Sequence, residues 1–378
     1  MAFLQNSLAN ALWPLGAVAN LAIDAAQEKK SVGFARPAPF ATLAEHVGMQ
    51  IGCIPRLALV AYLYAHTYGD WRTYARTLDW SWALPIILRD VALCLLVGGI
   101  DSFLLLSAYS PFKASMARHK YNPAYPHLFD RNGTSSLLRE ALWCCCTAAM
   151  AGLLEVGVLH ASATGRITAV HSADDWWACS RTIFFMVTWF YTQNVQFYCM
   201  HRALHAWGTT SIPDIGAWLY RNVHSLHHES KSPTAFSGIS MHPLESALYL
   251  SYALFPLFFG AHFVAFLCVC VGGSGVGTLP PFSCSARPSM PSSPPHPPHS
   301  NPLPPRRYIK TNLIAAAMLG HSAFESPGTG SMPHYLHHSL VGVNYAESHV
   351  PLDYFLGTWA ATVEEAEASI ERRKLKAH

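Results

Sequence analysis

Long runs of apolar residues alternate with shorter polar segments along this chain. Three of these runs approach the roughly 20 residues that an α-helix needs to cross a bilayer core. They are Val91–Tyr109, Leu137–His160 and Thr182–Met200. A shorter run, Ile51–Ala65, is interrupted by a Pro-Arg pair and is the weakest candidate. The few acidic residues inside the runs, such as Asp101, are expected to face the interior of a helix bundle, where polar partners are available. The pattern predicts an all-α fold built on transmembrane helices.

The apolar run Ser246–Val271 differs from the others because Pro and Gly residues interrupt it. We expect it to form a helical hairpin with a turn near Gly260. Its second leg stops at a Gly-, Pro- and Ser-rich stretch, residues 272–307, whose composition does not support a packed helix. The helical pattern resumes over Tyr308–Gly320. We interpret residues 272–307 as a disordered insert within one helix, either a genuine loop or translated non-coding sequence.

Composition favours a membrane protein and excludes other classes. Hydrophobic residues make up 51% of the chain and charged residues only 12%, whereas a soluble domain carries roughly 25% charged residues. The 25 basic and 22 acidic residues nearly balance at a formal net charge of +3, so nothing indicates a nucleic-acid partner. The 21 histidines are the exception in this composition. The candidate chemistry is therefore sought among them.

Four groups of histidines follow the run Thr182–Met200. They are His201-Arg-Ala-Leu-His205, His224-Ser-Leu-His227-His228, the single His321 in the sequence GHSAFE, and His334-Tyr-Leu-His337-His338. Residues three or four positions apart share a face of a helix, so an HxxxH group presents two imidazoles together and an HxxHH group presents three. Imidazole is the commonest metal ligand and suits iron, zinc, copper or nickel. Two HxxHH groups and one HxxxH group in a single chain predict metal binding.

The number of histidines predicts two metal ions. One zinc ion takes four ligands, three of them from the protein when the site is catalytic, so this set exceeds what one ion needs. The HExxH pattern of zinc proteases is absent because Arg202 occupies the position of the glutamate. Soluble di-iron bundles use glutamates together with Glu-x-x-His, whereas here histidine replaces carboxylate. The GxSxG pattern of serine hydrolases is also absent.

These motifs resemble those of the fatty acid hydroxylase/sterol desaturase superfamily of integral-membrane di-iron enzymes. The resemblance extends from Asn194 to Trp359 and rests on HRALH, HSLHH, SPTAFSGISMHPLES, GHSAFE, HYLHH and VNYAESHVPLDYFLGTW, in the order typical of the family. A hydrophobic hairpin between the second and third histidine groups is also typical of it. The phrase SGISMHPLES is more similar to the sterol-modifying branch than to the fatty-acid 2-hydroxylases.

The resemblance implies two iron ions, molecular oxygen as co-substrate, and hydroxylation or desaturation of a lipid. The implied iron ligands are His201, His205, His224, His227, His228, His321, His334, His337 and His338, with His242 as a further ligand or a neighbour of one. No residue beyond the metal ligands is implied to be catalytic. Nothing in the chain resembles a cytochrome b5 haem domain, so the electrons are expected from a separate cytochrome b5/NAD(P)H reductase system. Many members carry an acidic residue where this chain has Asn194, so a carboxylate partner for a ligating histidine is expected to be missing there.

A sterol is the expected substrate, with a fatty acyl or sphingoid lipid as one alternative and metal binding without catalysis as another. The expected architecture is a polytopic transmembrane helical bundle with a cytosolic helical cap that carries the histidine groups. Its regions are an N-terminal region (1–50), N-terminal transmembrane helices (51–181), a di-iron domain (182–360, including the insert) and a charged C-terminal tail (361–378).

Two features favour the endoplasmic reticulum membrane with the histidine groups on the cytosolic side. The loop Ser110–Ser136 and the histidine region carry more Lys and Arg than Ala161–Arg181, as the cytoplasmic segments of membrane proteins do. The final residues Lys374-Leu-Lys376-Ala-His378 resemble the KxKxx retrieval signal of endoplasmic reticulum membrane proteins. The expected partners are a lipid substrate from the bilayer and an electron-transfer protein.

Overall fold

The computed structural model describes residues 70–106, 120–122, 131–167, 176–208, 212–258, 317–318, 321, 323–324, 331–346 and 350–377. Its α-helices are α1 (Trp71–Tyr74), α2 (Trp80–Leu106), α3 (Arg131–Ala163), α4 (Trp176–Ala203), α5 (Ile215–Asn222), α6 (Pro243–Leu250), α7 (Phe255–Phe258), α8 (Ser331–Leu340), α9 (Leu352–Phe355) and α10 (Val363–Ala377). Three 3₁₀ helices cover His224–Glu229, Ala235–Ile239 and Ser251–Leu254. Among the described residues, the only β-type pairing is an isolated bridge between Lys120 and Phe324, which confirms the all-α expectation.

Two of the described helices are long and apolar enough to cross a membrane. Trp80–Leu104 in α2 has a mean hydropathy of 2.0, and Ser136–Ala163 in α3 has a mean hydropathy of 1.8. Each contains most of one predicted span, although α2 begins well before Val91. The third predicted span, Thr182–Met200, lies in α4. That helix has the length to cross a bilayer but is not one of the two apolar candidates, because Thr, Gln and Asn residues occupy its C-terminal half.

Helices α2 and α3 pack closely against each other and enclose charged groups. Gly152 of α3 lies so near the backbone of Ile87 in α2 that a side chain would not fit between them. The guanidinium of Arg89 contacts the carboxylates of Asp90 at 2.7 Å and Glu155 at 2.9 Å, and both carboxylates are fully buried. Buried charges in a membrane helix require such partners. For Glu155, which lies in the predicted span Leu137–His160, the pair with Arg89 confirms the expectation that acidic residues face the bundle interior.

The 3₁₀ helix Ala235–Ile239 connects the membrane helices to the histidine region. All of its residues are buried. Phe236 packs so tightly on Gly98 of α2 that any Cβ there would overlap its ring. Gly238 lies equally close to the backbone of Ala317 and Met318. This short helix, which follows the second histidine group, is therefore fixed against α2.

The C-terminal helix α10 packs on α8 instead of extending freely into solvent. Leu336 of α8 and Ala366 of α10 are fully buried in one hydrophobic cluster, and burying a Leu side chain contributes about 1.5–3 kcal/mol. The guanidinium of Arg373 donates a hydrogen bond to the carbonyl oxygen of Gly342. The charged tail predicted at 361–378 therefore forms a helix with one buried face, which supports the loop after α8.

The first leg of the predicted hairpin is helical but irregular. The backbone changes from α6 to a 3₁₀ helix at Ser251 and resumes as α7 at Phe255. The change lies next to Pro256, which has no N–H to donate to the preceding turn. The other predictions for flanking regions lie outside the described residues, namely the N-terminal region 1–50, the candidate span Ile51–Ala65, the turn near Gly260 and the insert 272–307.

Candidate metal centre

Nine of the candidate histidines converge on two adjacent clusters. The first cluster contains His201, His205, His224, His228 and His337, and the second contains His227, His321, His334 and His338. Within each cluster, the nitrogen atoms that can bind a metal all lie within 4.8 Å of one another. Every ring is buried except that of His334, which is partly exposed. The structure thus joins four histidine groups that are far apart in the sequence.

Each HxxHH group is divided between the two clusters. In the second group, His224 and His228 belong to the first cluster and His227 to the second. In the fourth group, His337 belongs to the first cluster, and His334 and His338 belong to the second. Residues four positions apart point in similar directions, whereas an adjacent residue points elsewhere. The three imidazoles of an HxxHH group therefore do not lie together, although the helical spacing predicted that they would. Each group instead links both clusters, which keeps the two candidate ions close together.

Backbone carbonyls of one loop hold two rings of the first cluster. His201 Nδ1 donates to the carbonyl oxygen of Tyr345 at 2.9 Å, and His337 Nδ1 donates to that of Val343 at 2.7 Å. A carbonyl oxygen can only accept, so each Nδ1 carries the hydrogen and each Nε2 of the neutral ring keeps a lone pair. Between the two acceptors, Asn344 adopts a φ of 55°, and its side-chain amide donates to two backbone carbonyls. These bonds fix the loop that orients both rings.

A buried glutamate holds a third ring of the first cluster. His224 Nδ1 lies 2.7 Å from Glu245 Oε1, and the two side chains are only 1% and 3% exposed. A carboxylate partner of this kind sets the tautomer and the orientation of a ligating imidazole and raises the basicity of its other nitrogen. Helix α6 thus supplies a carboxylate partner for one candidate ligand, at a position other than Asn194. Sequence reasoning included Glu245 in a motif but gave it no role.

Backbone carbonyls also hold three rings of the second cluster. Each Nδ1 donates to a backbone carbonyl oxygen: that of His227 to Ser240 at 3.4 Å, that of His321 to Ala317 at 2.6 Å, and that of His338 to Ser230 at 3.0 Å. These acceptors could not be identified from the sequence, because every residue has a carbonyl oxygen. Their effect is the same as in the first cluster: each Nε2 is left as the free nitrogen.

The free nitrogens face one another at distances that hydrogen bonds between neutral rings do not explain. His201 Nε2 lies 3.1 Å from His224 Nε2, and His227 Nε2 lies 3.3 Å from His321 Nε2. Because the Nδ1 atom of each ring carries the hydrogen, the facing nitrogens present two lone pairs that repel each other. A cation between them turns this repulsion into attraction. Three more buried Nε2 atoms find no hydrogen-bond partner among the described residues, those of His205, His337 and His338.

Burial keeps these histidines neutral at physiological pH. Burial and the neighbouring His224 lower the pKa of His201 to about 3, and burial lowers the pKa of His224 to about 3. Burial is also the main cause that lowers the pKa of His227 to about 4. The pKa lies well below its usual range for the remaining six, His205, His228, His321, His334, His337 and His338. Neutral imidazole is the metal-binding form, so the donor set fits two ions of the metals that accept imidazole nitrogen.

The structure does not bring His242 to either cluster. Its Nδ1 accepts a hydrogen bond from the backbone N–H of Leu244 at 3.2 Å. The residue is the N-cap of α6, directly before Pro243. An N-cap side chain satisfies one of the N–H groups that the first helical turn leaves unpaired. The expectation that His242 is a ligand is therefore replaced by a role in starting the helix that carries Glu245.

Comparisons with known proteins agree with this geometry. Residues 185–288 match the model of the family named Fatty acid hydroxylase. The chain is 35% identical to Methylsterol monooxygenase 2-2 of Arabidopsis thaliana over 78 residues, which is 20% of this chain and 25% of that protein. It is 34% identical to Methylsterol monooxygenase 2-1 of the same plant over 91 residues, which is 24% of this chain and 28% of that protein. The chain thus aligns with about a quarter of the length of these relatives. No solved structure matches it.

The family match and the two clusters support each other. The matched residues include the first two histidine groups, and the structure joins these groups to the third and fourth. Residues 185–288 are therefore similar to the fatty acid hydroxylase family, as the resemblance of the motifs implied, and the two histidine clusters are consistent with a di-iron site.

Proposed function

We propose that this protein uses two irons and molecular oxygen to hydroxylate or desaturate a lipid within a membrane. The observation that carries the proposal is the pair of buried clusters, in which imidazole lone pairs converge without a carboxylate ligand. When bound there, iron supplies the redox chemistry with oxygen that an unactivated C–H bond requires, which zinc, having no redox chemistry, does not supply.

In this proposal the nine clustered histidines are the iron ligands, and no other side chain is assigned a catalytic role. The hydrogen bonds at Nδ1 hold six of the rings in the tautomer and orientation that leave Nε2 free. No proton has to leave a ring before it binds metal, because burial keeps all nine neutral. The same burial excludes water, which protects reactive species from side reactions.

The position of the clusters favours a substrate that arrives from the bilayer. His201 lies in the last turn of α4, directly after the predicted span Thr182–Met200. The same helix exposes Phe184 (63%) and Val195 (44%), as a lipid-facing helix does. A lipid can therefore approach from the side while reductant arrives from water. We place this water-facing side in the cytosol at the endoplasmic reticulum, with electrons from a separate cytochrome b5/NAD(P)H reductase system.

A sterol is the substrate that we propose. The two aligned Arabidopsis proteins are named methylsterol monooxygenases. The motif SGISMHPLES, in which His242 and Glu245 lie, is similar to the sterol-modifying branch. The second support concerns the segment that carries Glu245 and the entry to the predicted hairpin.

Lipid analysis of cells with and without the protein tests the proposal. Cells without it are expected to accumulate a sterol that lacks one double bond or retains a methyl group. Expression of the wild-type protein should reverse this change, and His338→Ala should not, because it removes a ligand. His378→Ala is the matched control: it also removes a histidine, but one outside the four histidine groups of the sequence, and it should restore the sterol profile.

The other results are equally informative. Unchanged sterols with altered hydroxy-acyl lipids would contradict the sterol assignment and make a fatty acyl or sphingoid lipid the substrate. Two bound metals with no change in any lipid would contradict the enzymatic function and indicate a protein that only binds metal.

A further inference from the structure

A buried carboxylate from membrane helix α3 reaches the histidine region. Glu140 is 4% exposed and lies near the N-terminal end of the candidate span Ser136–Ala163. The hydroxyl of Ser230 donates to its Oε1 at 2.6 Å, and the hydroxyl of Thr234 donates to its Oε2 at 2.7 Å. Hydrogen bonds to a charged group are stronger than neutral ones. Both carboxylate oxygens are therefore engaged by one short segment of chain.

That segment carries the backbone acceptors of two histidines of the second cluster. The carbonyl oxygen of Ser230 accepts from His338 Nδ1 at 3.0 Å. At the other end of the segment, the carbonyl oxygen of Ser240 accepts from His227 Nδ1 at 3.4 Å. Displacement of this segment would therefore rotate both rings away from their shared centre.

The same segment is bonded to the chain next to a third histidine of that cluster. The carbonyl oxygen of Pro233 accepts from the backbone N–H of Ala323 at 3.0 Å, two residues after His321. Thr234 also begins the 3₁₀ helix that leads to Ser240, through reciprocal hydrogen bonds with Ser237. The two hydroxyls bound by Glu140 thus lie where the segment fixes three of the four rings in the second cluster.

Three rings of the first cluster have Nδ1 acceptors outside this segment. His201 and His337 are held by the loop after α8, and His224 is held by Glu245. Loss of the Glu140 contacts should therefore disturb one cluster much more than the other. This difference can be measured.

We propose that Glu140 is a positioning residue for the second metal site, through which membrane helix α3 sets the orientation of the imidazoles that bind the metal. The inference rests on the proposed metal binding but not on turnover of any lipid. Substitution of groups that orient metal ligands typically costs 10–100-fold in metal affinity. Glu140 is separated from the metal by one more hydrogen bond than such a group. We therefore expect its loss to lower metal affinity about tenfold, the low end of this range, and only at the second cluster.

The test compares variants of the full-length protein, purified in detergent and loaded with iron. Metal per chain is measured by mass spectrometry during titration with a chelator. Glu140→Ala is expected to release one of two metal equivalents at about tenfold lower chelator concentration, with the other equivalent released as in wild type. Glu140→Gln should behave nearly as wild type, because its amide oxygen accepts from one hydroxyl and its NH₂ group donates to the other.

Arg139→Ala is the matched control. Arg139 and Glu229 form an ion pair of 2.6 Å between the same two parts of the chain, with side chains 41% and 50% exposed. Exposed pairs contribute little, so both metal equivalents should be retained. If Glu140→Ala does not fold, Thr234→Val takes its place: it keeps the side-chain shape, removes one of the two hydrogen bonds, and should show a smaller selective release.

The results separate this inference from the proposed function. Wild-type protein that binds no metal would contradict the proposed function. Wild-type protein with two metals, together with a Glu140→Ala or Thr234→Val variant that releases both equivalents in parallel or both as in wild type, would overturn the role of Glu140 alone. A Glu140→Gln variant that releases one metal equivalent as easily as Glu140→Ala does would also overturn it.

Discussion

The carboxylate of Glu245 offers a direct test of how the first metal site is held. Glu245→Ala removes the acceptor that lies 2.7 Å from His224 Nδ1 in surroundings from which water is excluded. The ring then loses its fixed tautomer, and its Nε2 becomes less basic. Loss of such a partner costs 10–100-fold in metal affinity, which corresponds to about 1.4–2.7 kcal/mol. We expect the loss at the five-histidine cluster only.

Two further variants separate the hydrogen bond from the charge. Glu245→Gln keeps an oxygen that can accept from Nδ1, so its affinity should lie between those of wild type and Glu245→Ala. Glu367→Ala removes an equal charge from an exposed position on α10 and should leave affinity unchanged. Chelator titration with metal analysis measures all three. A Glu245→Ala protein that folds and holds both metals as tightly as wild type would refute the role of this carboxylate.

Three other substitutions test separate parts of the structure. Gly98→Ala should destabilise the protein by about 1–3 kcal/mol, because the added methyl overlaps the ring of Phe236. Thermal unfolding in detergent measures this change. Gly157→Ala is the control and should not destabilise the protein, because nothing lies within 4 Å of the new Cβ. Asp353→Ala leaves two buried backbone N–H groups of the loop after α8 without their acceptor, at a cost of about 1–3 kcal/mol each. The variant should therefore unfold at a lower temperature, and the first cluster should lose metal first. An unchanged unfolding temperature would contradict this. His338→Ala should lower metal content by one equivalent per chain, and an unchanged content would show that this ring is not a ligand.

The apolar pattern predicted that the membrane helices exist better than it predicted where they begin and end. The run Leu137–His160 falls within α3, and the run that begins at Val91 lies in α2 as far as the end of that helix at Leu106, because burial and lipid both demand uninterrupted apolar sequence. The start of α2 at Trp80 could not be predicted, since Arg89 and Asp90 made that part look polar. In the structure those charges pair with each other and with Glu155, and a partner on another helix has no local signal.

The histidine motifs and the resemblance that rests on them indicated the nine residues that the structure brings together, but not how these residues divide into two clusters. Helical spacing alone predicted that the three imidazoles of each HxxHH group lie together. In the structure His224 and His228 belong to the first cluster and His227 belongs to the second, although residues three positions apart in a 3₁₀ helix lie on the same side. The acceptors of the Nδ1 atoms come from distant residues such as Tyr345, mostly through the backbone. Such contacts depend on the tertiary fold, which is also why His242 could be taken for a ligand.

The metal content of the purified wild-type protein tests the two-cluster structure most directly. Protein isolated from cells supplied with iron should contain two iron atoms per chain, and X-ray absorption at the iron edge should show imidazole nitrogen as the dominant ligand. Paired replacement of His337 and His338, one from each cluster, should reduce the iron content to near zero. A wild-type protein with at most one metal per chain, or with two metals that the paired replacement does not remove, would contradict the assignment of the nine histidines to two iron sites.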